Sequence, residues 1–308
     1  MSTSPPYRPL RQAQLQHLKV RQHWRYALHC WGDPQQATPE RPLLVLGHGF
    51  MDVGASFQFL VDALKAQGDG DRPIVAPDWR GFGLTEGPDC DHYLFADYLG
   101  DLDALLDVLS PELPIDLLGH SMGGNIVMSY AGARPTRIRR LINLEGFGLP
   151  EAKPEAAPTH MAKWLDDLKA PKTLKPYASA AAVAQRLQHT NPRLPDDRAE
   201  WLAEHWAAPA ADGLWHLRAD PAHRRISALP YRLDEVLAAW RRISAPTLWV
   251  EGDETPFEQW WGARYPRAAF DDRLAQVPQL QRETLRGAGH MLHHDQPEAL
   301  AQLLRLFL

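Results

Sequence analysis

The chain has little cysteine, no long apolar run and no strong excess of one charge. Two cysteines in 308 residues, Cys30 and Cys90, are too few for a disulfide framework, so both are expected to stay reduced and the core must hold the fold. No stretch approaches the ~20 apolar residues needed to cross a bilayer. The opening residues, Met1 to Leu10, are polar and Pro-rich with no apolar signal region. A cytoplasmic protein with no membrane partner is the expectation. The net charge of -5, with both signs interspersed, points away from a nucleic-acid partner. No internal repeat is present. The length suits two domains, or one domain with an insertion, around a sizeable core.

What the chain does have is a set of glycine-rich turns at strand ends. Gly119, His120, Ser121, Met122 and Gly123 follow the apolar run Ile115 to Leu118 and precede a helix-like stretch near Asn125. A serine at the apex of a sharp strand-to-helix turn is strained, and the turn closes only with small residues two positions away on either side. Gly119 and Gly123 meet that need, and Gly124 adds room. A bare Gly-x-Ser-x-Gly arises by chance in roughly one chain in ten of this length. Its placement between strand and helix is what makes Ser121 the candidate nucleophile.

A nucleophilic serine needs an oxyanion hole and a base. Upstream, the strand-like run Leu43 to Leu46 ends in Gly47, His48, Gly49 and Phe50, a turn able to aim a backbone N–H at a developing oxyanion. The two donors are assigned to the N–H groups of Phe50 and Met122. Downstream, a strand-like run ends at Leu285 and is followed by Gly287, Ala288, Gly289 and His290. Of the fourteen histidines, only His290 follows a glycine-rich strand end near the C-terminus, where the base belongs in the order Ser, acid, His. Asp295, Pro297 and Glu298 read as the N-cap, first turn and capping-box residue of a last helix. His293 and His294 read as solvent-facing neighbours, so neither a metal nor a cofactor is expected.

Together with Asp78, Trp79, Arg80, Gly81, Phe82 and Gly83 after the fourth strand, these motifs resemble the α/β-hydrolase superfamily over nearly the whole chain. Strands alternating with helices already imply an α/β fold with a mainly parallel sheet covered by helices on both faces. The resemblance adds a helical cap after strand six, giving a core of residues 1–149 and 240–308 and a cap of residues 150–239. Strand signals vanish there, helices are expected at Ala180 to Leu187 and Arg198 to Trp206, and Trp164, Trp201, Trp206 and Trp215 read as packing anchors. The Asp78 to Gly83 turn looks like the family's structural loop, with Asp78 and Arg80 holding it.

Many members of the superfamily carry an Asp three residues after the Gly that ends the seventh strand, and here Thr255 stands in that place. A carboxylate is still needed to fix the histidine tautomer. Glu145 directly follows the sixth-strand run Leu141 to Leu144, similar to haloalkane dehalogenases in which a Glu at that point is the acid. Glu145 is preferred, with Asp253 and Glu254 as alternatives. The expected activity is a serine hydrolase acting on carboxylic esters of small to medium apolar substrates, by way of an acyl-enzyme. A serine-dependent carbon–carbon bond hydrolase or lactonase is the enzymatic alternative. A non-catalytic ligand-binding protein is the alternative of a different class. Halide or epoxide displacement fits poorly, because Ser121 stands where those relatives carry a carboxylate.

Overall fold

The computed structural model describes residues 5–308; the first four residues of the polar N-terminal stretch lie outside the described residues. The chain opens with an antiparallel hairpin, β1 (Gln14–Val20) and β2 (Trp24–Trp31). It continues through β3 (Leu44–Gly47), α1 (Gln58–Ala66), β4 (Ile74–Pro77), α2 (Phe95–Leu109), β5 (Ile115–His120), α3 (Met122–Ala133) and β6 (Ile138–Leu144). After the insertion come α7 (Leu233–Trp240), β9 (Thr247–Gly252), α8 (Phe257–Trp261), α9 (Arg267–Leu274), β10 (Leu280–Leu285), α10 (Leu292–Asp295) and α11 (Pro297–Phe307). The sheet order is β1-β2-β4-β3-β5-β6-β9-β10. Within this sheet, among the described residues, only the pairings of β1 with β2 and of β2 with β4 are antiparallel.

Every residue of β3, β4 and β5 is buried, because both faces of a parallel sheet are covered and no polar alternation survives; Asp116 in β5 is tolerated because Arg72 and Arg139 pair with it. One face carries Trp79, Leu102, Ile126 and Trp249 with α2 and α3, and the other Phe57, Leu60, Leu300 and Leu304 with α1 and α11. Among the described residues no helix is long and apolar enough to cross a membrane.

Between β6 and α7 lie α4 (Ala157–Lys169), α5 (Ala180–Thr190) and α6 (Asp196–Trp206). The insertion also holds a short antiparallel hairpin, β7 (Ala207–Pro209) with β8 (Trp215–Leu217), which corrects the expectation of a strand-free segment. Three residues per strand are too few to show a period of two. The helices α5 and α6 share a small core of Val183, Leu187, Leu202 and Ala203, completed by Phe59 of α1. Trp201 packs on the Phe59 ring at 5.8 Å between centroids, as an anchor would.

The Asp78 to Gly83 turn joins sheet and insertion. Asp78 accepts N–H bonds from Gly54 and Leu84, both at 2.7 Å, and the Arg80 guanidinium grips Asp101 through two bonds of 2.6 Å. On the other side, Gly83 N–H donates to Arg218 C=O, and Asp220 N–H to Gly81 C=O, both at 2.8 Å.

The last helix begins differently from the expectation. Gln296, not Asp295, is the residue before α11, and no side chain caps it. Asp295 ends α10, and its carboxylate instead accepts from Gly289 N–H (2.9 Å) and Asn191 Nδ2 (2.7 Å). The N–H next to His290 needed a partner, and that tertiary demand outweighed the local capping pattern.

Candidate active site

Ser121 sits at the end of β5 with φ 52° and ψ -112°, a left-handed conformation that few non-glycine residues adopt. Its neighbours explain how the turn closes. A Cβ on Gly119 would lie 2.3 Å from Gly123 C=O oxygen, and one on Gly123 would lie 2.1 Å from that of Gly47. Both obstacles are backbone and cannot swing away. Gly123→Ala is therefore expected to lower stability by at least about 1–3 kcal/mol, the usual cost of overpacking. Denaturant unfolding checks this, and parental stability would show that the elbow tolerates a Cβ.

The loop after β10 brings His290 over this elbow. His290 Nε2 is 3.0 Å from Ser121 Oγ, and Nδ1 donates to Glu145 Oε2 at 2.6 Å. Glu145 follows β6 with φ 55° and is almost wholly buried. Its other oxygen, Oε1, accepts from Gly252 N–H (2.7 Å) and from the Thr255 hydroxyl (2.6 Å). Thr255 thus occupies the expected acid position and donates instead to Glu145. The alternatives face other partners: Asp253 accepts from Gly287 N–H at 2.7 Å, and Glu254 pairs with Arg193. Thr255→Val removes one hydrogen bond to a buried carboxylate, an interaction worth ~1.5–3 kcal/mol. We expect kcat for an ester to fall roughly tenfold, a ~1.4 kcal/mol effect, with the fold intact. Unchanged kcat would show that Gly252 alone holds Glu145.

The N–H groups of Phe50 and Met122 donate to no other group among the described residues. Met122 opens α3, where unpaired N–H groups favour anions. His48 fixes the other donor's turn: Nδ1–H donates to Gly49 C=O (2.8 Å), and Nε2 accepts Trp79 N–H (2.9 Å). The His290 side chain is 27% exposed. The Phe50 side chain is half exposed, and the edge of Trp260 meets the His290 ring at 4.9 Å between centroids. Trp260 had no distinguishing signal in the sequence.

His293 and His294 are not solvent-facing but buried, because α10 tucks them against the segment after β3. Ser56 Oγ lies 2.7 Å from His294 Nε2, 3.2 Å from His293 Nε2 and 3.1 Å from Asp52 Oδ2. His120 is equally buried, and its Nε2 donates to His290 C=O at 2.7 Å. Burial pushes His120 and His293 well below the usual histidine range, and His294 down to about 3. The same burial lifts the Asp52 carboxyl to about 7. No local pattern in the sequence links Asp52 and Ser56 to His293.

Burial also holds His48 and His223 down at about 4. These rings are neutral in the fold yet protonate near ~6.5 when unfolded, so their stabilisation is present above that pH and is lost as pH falls toward the folded values. Each steepens the loss by up to about 1.4 kcal/mol per pH unit. Asp52 acts in the opposite sense but is outnumbered. Urea unfolding should show stability dropping between about pH 6.5 and 4; a flat profile there would contradict buried neutral histidines.

The sequence profile of the family described as alpha/beta hydrolase fold matches residues 42–297. The chain belongs to the α/β-hydrolase family. This α/β-hydrolase is 31% identical over 245 residues to a 3-hydroxybutyrate-oligomer hydrolase of Cupriavidus necator, covering 75% of this chain and 77% of that one. It is 25% identical over 253 residues to the esterase YbfF of Escherichia coli, covering 77% and 83% of the two chains. In structure it is similar to a thioesterase domain from the curacin biosynthetic pathway, with a TM-score of 0.81, 26% identity and coverage of 96% and 99%. The α/β-hydrolase is accordingly an esterase-like hydrolase.

Proposed function

We propose that this α/β-hydrolase is a serine hydrolase that cleaves carboxylic esters of small to medium apolar acids through an acyl-enzyme. The observation that carries the reading is the unbroken chain from Ser121 Oγ through His290 to Glu145, at 3.0 and 2.6 Å, beside two unpaired N–H groups. Ser121 Oγ attacks the ester carbonyl carbon while His290 Nε2 takes its proton, and the N–H groups of Phe50 and Met122 hold the oxyanion. The C–O bond then breaks, the alcohol leaving with the proton from His290. Water, deprotonated by His290, attacks the acyl-enzyme and releases the acid. Glu145 keeps the proton of His290 on Nδ1 and stabilises the imidazolium.

In this reading the residues between β6 and α7 form the cap over the site, α7 itself packing on α3 of the core, and the enzyme works in the cytoplasm. The exposed rings of Phe50 and Trp260 supply an apolar wall. The 31% identity to the oligomer hydrolase favours a second substrate reading, oligoesters of short 3-hydroxy acids. A panel of esters graded in acyl length, with 3-hydroxybutyrate oligomers included, separates the two. A fluorophosphonate probe followed by intact-mass analysis tests the chemistry itself: one adduct per chain is expected, and a folded protein that forms none would point to the ligand-binding alternative.

A further inference from the structure

Behind the Ser121–His290 pair lies a second cluster of chemically capable side chains that ester hydrolysis does not use. Asp52, His120 and His293 are each at most 3% exposed, and one ligating atom from each lies within 4.8 Å of the others. They come from three distant parts of the chain: the turn after β3, the elbow, and α10. Two ring nitrogens, His120 Nδ1 and His293 Nδ1, are buried with no hydrogen-bond partner among the described residues. Leaving a buried polar atom unpaired costs about 1–3 kcal/mol, so two in one cluster require a reason.

The surroundings have the form of a metal site's outer shell. A carbonyl can only accept, so the 2.7 Å contact to His290 C=O makes His120 Nε2 the protonated nitrogen and leaves the Nδ1 lone pair free. A ligating histidine characteristically donates its other N–H to a backbone carbonyl in this way. The Asp52 carboxylate is oriented likewise, by Val53 N–H (2.8 Å) on one oxygen and the Ser56 hydroxyl (3.1 Å) on the other. Two imidazoles and a carboxylate suit a divalent first-row transition ion rather than the oxygen-bound magnesium or calcium.

We propose that Asp52, His120 and His293 form an inhibitory binding site for a divalent transition-metal ion of the zinc class. Zinc holds nitrogen ligands at ~2.0–2.1 Å, so the cluster must contract by roughly an ångström to close on the ion. That contraction draws on the His120 ring, and through it on the His290 backbone. The ion's charge also lies beside His290, whose ring centroid is 4.8 Å from that of His120, and opposes formation of the imidazolium. Both effects slow the base without any contact between metal and substrate.

The test uses the full chain, refolded with Zn2+ because the cluster is shielded from solvent, then dialysed and assayed for bound zinc. One ion per chain is expected in the parent and equally in Ser121→Ala, which separates this site from an ion held on the Ser121–His290 pair. His293→Gln and the isosteric Asp52→Asn should each weaken binding by at least about tenfold. If one of them does not fold, the other carries the test, with zinc raising the melting temperature of the parent but not of the variant. Absence of bound zinc, or one ion retained undiminished in a folded variant, would overturn the site. Parental ester turnover by the zinc-loaded enzyme would overturn its inhibitory role. Zinc content is read without substrate, so its outcome stands apart from the ester-hydrolase reading.

Discussion

Replacing Ser121 by Ala is expected to lower turnover of an activated ester by several orders of magnitude while leaving the fold unchanged. The hydroxyl's one side-chain partner among the described residues is His290, at 3.0 Å, and the elbow is held instead by backbone bonds from Ser121 N–H to Leu144 C=O and from Asn125 N–H to Ser121 C=O. Alanine meets the same left-handed strain at this position as serine, so the turn survives the change. What disappears is the attacking oxygen. In comparable enzymes, loss of any triad member still leaves ~10³–10⁴-fold acceleration over water, from the oxyanion hole and binding alone. Steady-state kinetics on an activated ester checks the expectation, with circular dichroism to verify the fold. A variant within tenfold of the parent would remove Ser121 from the chemistry.

The second large effect distinguishes the acids. In Glu145→Gln the new amide is not free to choose its orientation. Gly252 N–H and the Thr255 hydroxyl both donate to the Oε1 position, so the amide oxygen belongs there and the NH2 group faces His290 Nδ1. An NH2 group facing Nδ1 requires a lone pair on it, which shifts the ring proton to Nε2, where Ser121 needs an acceptor. We expect kcat to fall by up to about 10⁴. Asp253→Asn should be mild, because an Asn oxygen can still accept from Gly287 N–H. Near-parental kcat in Glu145→Gln together with collapse in Asp253→Asn would move the acid to the loop after β9.

Much of this site was legible because its signals are local. A serine between two glycines at a strand-to-helix junction, and a histidine on a glycine-rich strand end, each depend on backbone sterics within five residues. Glu145 was legible for a weaker reason: an acidic residue ending an apolar strand, set against Thr255 at the expected acid position. The role of Thr255 as a donor to Glu145 was not legible, since the two lie 110 positions apart and meet only because β6 and β9 pair in register. Asp295 shows the converse, a sound local capping pattern overridden by Gly289 N–H and Asn191.

By itself the sequence determined the alternation of strands and helices in the main sheet and the strained elbow at Ser121, because hydrophobic periodicity and glycine sterics act along the chain, but not the short β7–β8 hairpin. Only the tertiary structure decided which carboxylate meets His290, that His293 and His294 point inward, and that Asp52, His120 and His293 come together. Those outcomes depend on desolvation and on partners from distant strands. No segment of the chain carries them until the sheet has closed.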